Sequence, residues 1–192
     1  AQEHYPSVKV IRTVDEVIQD ADIELVIVNT PNETHFPFAA KALEAGKHVV
    51  VEKPFTVTIK EANELIELSK KKNKVLTVFQ NRRLDGDFLT FQKVIDEKWV
   101  GKIVEFEAHY DRFRNYIEPN TWKEEEGIGK GILYNLGSHM LDQALVLFGM
   151  PDHVDARIGI QRPGGKVDDF YDLRLQYKGI NVIIKSSYLV RE

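Results

Sequence analysis

The stretch GKHVVVEKPF, residues 46–55, sets a carboxylate and an ammonium, Glu52 and Lys53, after a run of β-formers, His48 to Val51, and before Pro54. A strand cannot carry a charged pair through its core, so Glu52 and Lys53 mark where the chain leaves the interior. An ammonium at such a mouth is partly desolvated, which lowers its pKa and suits it to handling protons. The plainer alternative is a surface lysine paired with Glu52. Polar sets also close two other apolar runs: Asn29, Thr30 and Asn32 follow IELVIV, and Gln80, Asn81, Arg82 and Arg83 follow VLTVF. Farther along, His139 stands in LGSHMLD, with Asn135 four residues before it and Asp142 one helical turn after it. A lone histidine on a helix ordinarily just satisfies itself, yet an imidazole ionising near pH 6.5 is also suited to reversible proton transfer.

These residues need elements to hold them. IELVIVNTPN (23–32) reads as a strand and loop, and THFPFAAKALEAG as a helix stopped by Gly46. The pattern repeats in HVVVEKP and TIKEANELIELSKKKN, where Thr58 or Thr56 is the N-cap and Ile59, Ala62, Leu65 and Ile66 share one helical face. VLTVFQNRR (75–83) supplies a third strand. Continuous apolar strands separated by helices indicate a doubly wound α/β unit whose parallel sheet is covered on both faces. Ligands bind such sheets outside the carboxyl ends of the strands, so the three polar sets are expected along one edge.

Beyond residue 83 the pattern changes. After one amphipathic helix, DFLTFQKVIDEKW, the strands KIVEFEAHYDRFR and DHVDARIGIQ and a hairpin turning at Lys178-Gly179 come without crossover helices, and one long helix, GILYNLGSHMLDQALVLFG, lies among them. The sequence therefore divides into 1–83, a partial dinucleotide-binding unit, and 84–192, an α+β unit with an open, mainly antiparallel sheet.

Composition excludes much else. With 192 residues, 43% of them hydrophobic, the chain can bury a core, and a formal charge of -4 offers no field for nucleic acid or an anionic membrane. There are no cysteines, so disulfides, thiolate zinc sites and cysteine nucleophiles are out, no metal site is expected, and a cytoplasmic location is the default. No apolar run approaches the roughly 18 residues of a membrane span.

VNTPNETHFPFAAKALEAGKHVVVEKPF, then NRR, then LGSHMLDQAL resembles the Gfo/Idh/MocA oxidoreductases over nearly the whole chain. Within that family, FQNRRLDGDFLTFQKVI, HYDRFR and LYNLGSHMLDQALVLFGMP look most like the scyllo-inositol dehydrogenase subgroup. The resemblance implies hydride transfer between NAD or NADP and a secondary alcohol of a sugar or cyclitol. It makes Lys53 the group that hydrogen-bonds the reacting oxygen and His139 the proton carrier, with Asn135 beside it. Thr30, Pro31, Asn32 and His35 fall on the family's loop by the nicotinamide, although PNETH alone reads as a turn and helix cap. Glu52, Lys53 and Pro54, whose Lys53-Pro54 bond is often cis in relatives, and Asn81 and Arg82 complete the implied cofactor side. Arg83, Tyr110, Arg112 and Trp122, and less directly Arg114, are expected to line a polyol pocket with Asn135 and His139, as aromatic faces and multiple donors suit hydroxyl-rich ligands. Asp142 could orient His139. The family also implies a homo-oligomer, a dimer or tetramer, through an apolar face of the second unit's sheet.

Two departures qualify the match. The family's G-x-G-x-x-G pyrophosphate turn does not occur in this sequence, so the chain reads as the middle of a longer enzyme whose sheet should show a raw edge. And Asn135 stands where most polyol dehydrogenases of the family carry Asp. A non-catalytic member or fragment that keeps a sugar-binding or oligomerisation role is the alternative reading.

Overall fold

The computed structural model describes residues 3–191. The chain divides into two compact units, the first ending at Phe79 and the second beginning at Gln80.

The first unit opens with a short helix that the sequence patterns did not reveal, α1 (Val14–Gln19), capped by the Thr13 side chain. Strands β1 (Leu25–Val28), β2 (His48–Glu52) and β3 (Leu76–Phe79) then form a parallel sheet in the order β1-β2-β3. Helices α2 (His35–Glu44) and α3 (Ile59–Lys72) make the crossovers. Gly46, at φ +77, ends α2 as expected: its N–H and that of Lys47 reach back to Leu43 and Ala42 carbonyls at 2.9 and 3.0 Å. Thr58, not Thr56, caps α3, in a reciprocal capping box with Glu61. The core consists of Val28, Val49 and Val51 from the sheet against Ala39, Ala42 and Leu43 of α2 and Leu65 of α3. Two right-handed crossovers in strand order put both helices on one face. Among the described residues the other face stays open, with Leu25 49% and Ile27 65% exposed on β1, so the cover on both faces expected from the apolar runs is not present here.

The second unit holds α4 (Gly86–Asp96) and a four-stranded sheet in the order β4-β7-β6-β5, with β4 (Glu105–His109), β5 (His153–Gly159), β6 (Phe170–Tyr177) and β7 (Ile180–Ser187). β5, β6 and β7 are antiparallel neighbours, the β6–β7 hairpin turns at Lys178-Gly179 with Gly179 at φ +86, and β4 runs parallel to β7. Across one face lies α5 (Ser138–Phe148), continuous with a π-helical turn over Leu133–Gly137. Ile132, Leu136, Met140 and Ala144, each four residues from the next, form the buried stripe that meets Tyr171, Leu173, Leu175, Val182 and Ile184. The apolar face expected to serve assembly is therefore the one under α5. The opposite face is ionic, carrying Glu107, His109, Asp155, Asp172, Arg174 and Lys185, with Lys185 3.7 Å and Arg174 3.6 Å from Asp172.

Candidate active site

In the first unit the loops after β1 and β2 are tied together by His35. Asn32–Thr34 form a 3-10 turn, Pro31 precedes it, and His35 opens α2. The His35 ring is 1% exposed, and its Nδ1 lies 2.7 Å from the Pro54 carbonyl and its Nε2 2.9 Å from the Thr30 carbonyl. Both partners are acceptors, and a neutral ring donates to one at a time. His35 thus latches the two loops from beneath. The Thr34 hydroxyl, 2.6 Å from that of Thr30, finishes the β1 loop, leaving Asn32 half-buried at the start of the turn.

Glu52 ends β2 and folds its carboxylate onto the Lys53 backbone N–H at 3.1 Å. Lys53 itself is half-buried, and its bond to the buried Pro54 is cis. The first two polar sets of the sequence therefore do share one strand-end cluster. The third set, Gln80–Arg83, follows directly on β3, whose last residue Phe79 is the register partner of Glu52, and is grouped with the second unit.

There, Asn81–Leu84 form a 3-10 turn, and both arginines bond to residues of their own unit. Arg82 bonds Asp85 at 2.8 Å, stacks 5.1 Å over the Tyr110 ring, and takes the Gln143 amide on its carbonyl at 3.0 Å. Burial pushes the Tyr110 hydroxyl up from its ordinary range. Arg83 forks onto Asp142, with Nε and Nη2 donating at 2.7 and 2.6 Å, and the bonded carboxylate holds the guanidinium above its usual range. Both Asp142 oxygens thus accept from Arg83.

His139 is 5% exposed on the first turn of α5, and Asn135, half-buried, lies in the π turn just before it. Such turns inside α-helices recur at functional sites, because the extra residue re-aims side chains. Arg112 and Arg114 are exposed; their backbone N–H groups pair with Ser187 and Tyr188, and the Arg114 guanidinium sits 5.8 Å from the Tyr188 ring. Trp122 begins a short turn, Trp122–Glu124, and is half-buried. A cavity of about 610 Å³ lined by His109, Asp111, Gln161, Phe170, Lys185 and Ser187 involves none of the candidate residues.

Three residues with no recognisable motif in the sequence shape this unit. Arg162, its side chain 1% exposed, joins Asp169 at 2.9 Å, Glu124 at 2.9 Å and the Tyr116 carbonyl at 2.7 Å. Burial alone would lower its pKa, but the bonds to Glu124 and Asp169 outweigh that and raise it. The turn bearing Trp122 is pinned through Glu124. Asp168 and Gly131 contact each other at the start of the His139 helix. The only trace of these contacts in sequence is a pair of adjacent aspartates after a glycine loop.

Residues 1–80 match the family described as oxidoreductase family, NAD-binding Rossmann fold, and residues 88–192 match the GFO/IDH/MocA C-terminal domain. The scyllo-inositol 2-dehydrogenase (NADP(+)) IolW of Bacillus subtilis is 39% identical over 97% of this chain and 52% of its own length. An oxidoreductase from Bacillus cereus superposes with a TM-score of 0.88 at 35% identity, covering 100% of this chain and 54% of that one. Levoglucosan dehydrogenase in complex with NADH and levoglucosan gives a TM-score of 0.82 at 29% identity, over 92% of this chain and 51% of that one. The chain spans about half the length of the curated relatives it matches.

Proposed function

The chain belongs to the Gfo/Idh/MocA oxidoreductases, and on that premise we propose that it carries the Lys53 and His139 groups of a dehydrogenase exchanging a hydride between NAD or NADP and a secondary alcohol of a sugar or cyclitol. The observation that carries the reading is the strand-end cluster, where Lys53 leaves β2 in a loop latched through His35 to the Thr30–Thr34 loop. Its chemistry fits the nicotinamide and ribose end of a dinucleotide, since the Thr30 hydroxyl, the Asn32 amide and the Lys53 ammonium offer both donors and acceptors to hydroxyl and carboxamide groups. When bound, the dinucleotide supplies the hydride acceptor.

Alcohol oxidation also requires the hydroxyl proton to leave. Lys53 donates a hydrogen bond to the alcohol oxygen and steadies the negative charge that grows there. Neutral His139 takes the proton, and in the reverse direction returns it. Asn135 offers a neutral amide rather than a carboxylate, so it does not favour the imidazolium. Arg83, Tyr110, Arg112 and Trp122 are the side chains we assign to the polyol. The ionic sheet face of the second unit is the surface we assign to homo-oligomerisation, and the cytoplasm is the compartment we assign to the enzyme.

Lys53→Met tests the reading in the complete gene product. Turnover falls about a hundredfold, as for loss of a proton-handling group, while affinity for the dinucleotide changes little. Near-normal turnover would remove Lys53 from the chemistry.

A further inference from the structure

The helix that carries His139 starts in an unusual way. Two amides of its first turn are taken by one distant residue: the Asp168 carbonyl accepts from Ile132 N–H at 2.9 Å, and Asp168 Oδ2 accepts from Leu133 N–H at 2.8 Å. The free amides of a helix start ordinarily find a side chain on the preceding residues; here the cap comes from the loop ahead of β6. Gly131 makes room for it. A Cβ at Gly131 would lie 2.0 Å from Asp168 Oδ1, and the residue sits at φ +87, a conformation glycine adopts freely.

Asp168 is itself held. Its neighbour Asp169 is fully buried, pairs with Arg162 Nε at 2.9 Å, and accepts from Gln161 and Arg162 N–H at 2.7 and 3.0 Å. Burial pushes the Asp168 carboxyl above the ordinary range, while the Leu133 amide pulls it back. Immediately downstream, residues 133–137 leave the α-helical register for the π turn that contains Asn135, and His139 follows within the next turn.

From this geometry we infer that Asp168 is a positioning residue: with Gly131 it fixes where the helix begins, and so sets the π turn and the placement of Asn135 and His139. Asp168 does not touch substrate in this account. The inference rests on the proposed role of His139, and its test is built to fail separately from that role.

Amide hydrogen exchange on the complete gene product reads the helix start directly. In Asp168→Ala, exchange over Ile132–Gly137 speeds about five- to tenfold, the size expected for a lost cap, while β6 and β7 stay at wild-type rates. Asp168→Asn, which keeps an oxygen acceptor for Leu133 N–H, retains most of the protection, and Gly131→Ala behaves like Asp168→Ala. Turnover of scyllo-inositol with NADP+ follows the same order: kcat falls up to about a hundredfold in the alanine variants through misplacement, KM moves little, and Asp168→Asn recovers most of the rate. Unchanged exchange over 132–137 in Asp168→Ala, or an equal rise throughout β6 and β7, overturns the inference. So does an unaltered kcat in Asp168→Ala when His139→Gln is inactive. An active His139→Gln instead sinks the role of His139 and leaves the exchange result to judge Asp168 by itself.

Discussion

Asn135 sits in the π turn just ahead of His139, and Asp142, three residues after the histidine, is committed to Arg83 by two hydrogen bonds. A carboxylate at position 135 would favour the imidazolium, so Asn135→Asp is expected to move the acidic limb of the alcohol-oxidation profile to higher pH, since more alkaline solution is then needed to free the base. Carbonyl reduction keeps its activity to higher pH for the same reason. Rate profiles in both directions check this, and an unmoved limb with activity intact would argue that His139 is not the proton carrier. Lys53 and His139 stand out in sequence because each lies in a string, VVVEKPF and LGSHMLD, that resembles the family. The Arg83–Asp142 pair does not, because Arg83 is 59 residues away from Asp142 and only the folded second unit brings the two together.

At the scale of elements, the strand-loop-helix units were legible for simple reasons: continuous apolar strands, a left-handed glycine after α2 and a capping box before α3 are all local signals. The π turn was not, because nothing in LYNLG differs in kind from an α-helical sequence and the amides that start it are held from residue 168, 35 positions beyond Leu133. Nor was the parallel β4–β7 pairing, since alternation reports which face a residue takes and not the direction of the neighbouring strand. The loop latch belongs to this scale too. His35→Ala leaves the Thr30 and Pro54 carbonyls without their imidazole partner and is expected to cost about 1–3 kcal/mol. Urea unfolding of the complete gene product measures it; an unchanged midpoint would mean that the loops hold their places without the ring.

For the whole molecule, the face of the second sheet that α5 leaves uncovered carries ionic residues of both signs, among them Glu107, Asp172, Arg174 and Lys185. An oligomer resting on that face is sensitive to salt, because exposed pairs are screened within about 10 Å at 0.1 M ionic strength. Light scattering at low and high salt is expected to show dissociation as salt rises, and a monomer at every salt concentration would contradict the assignment. The activity that all these roles serve is hydride exchange with a polyol. Its most direct test is nicotinamide absorbance on the complete gene product, offered scyllo-inositol, myo-inositol, glucose and levoglucosan with NAD+ and with NADP+, beside the Lys53→Met variant. Reduction of the nicotinamide is expected with at least one of these alcohols, at a rate about a hundredfold lower in the variant. No reduction with any of them by protein that binds the dinucleotide, or equal rates in the two proteins, would contradict it.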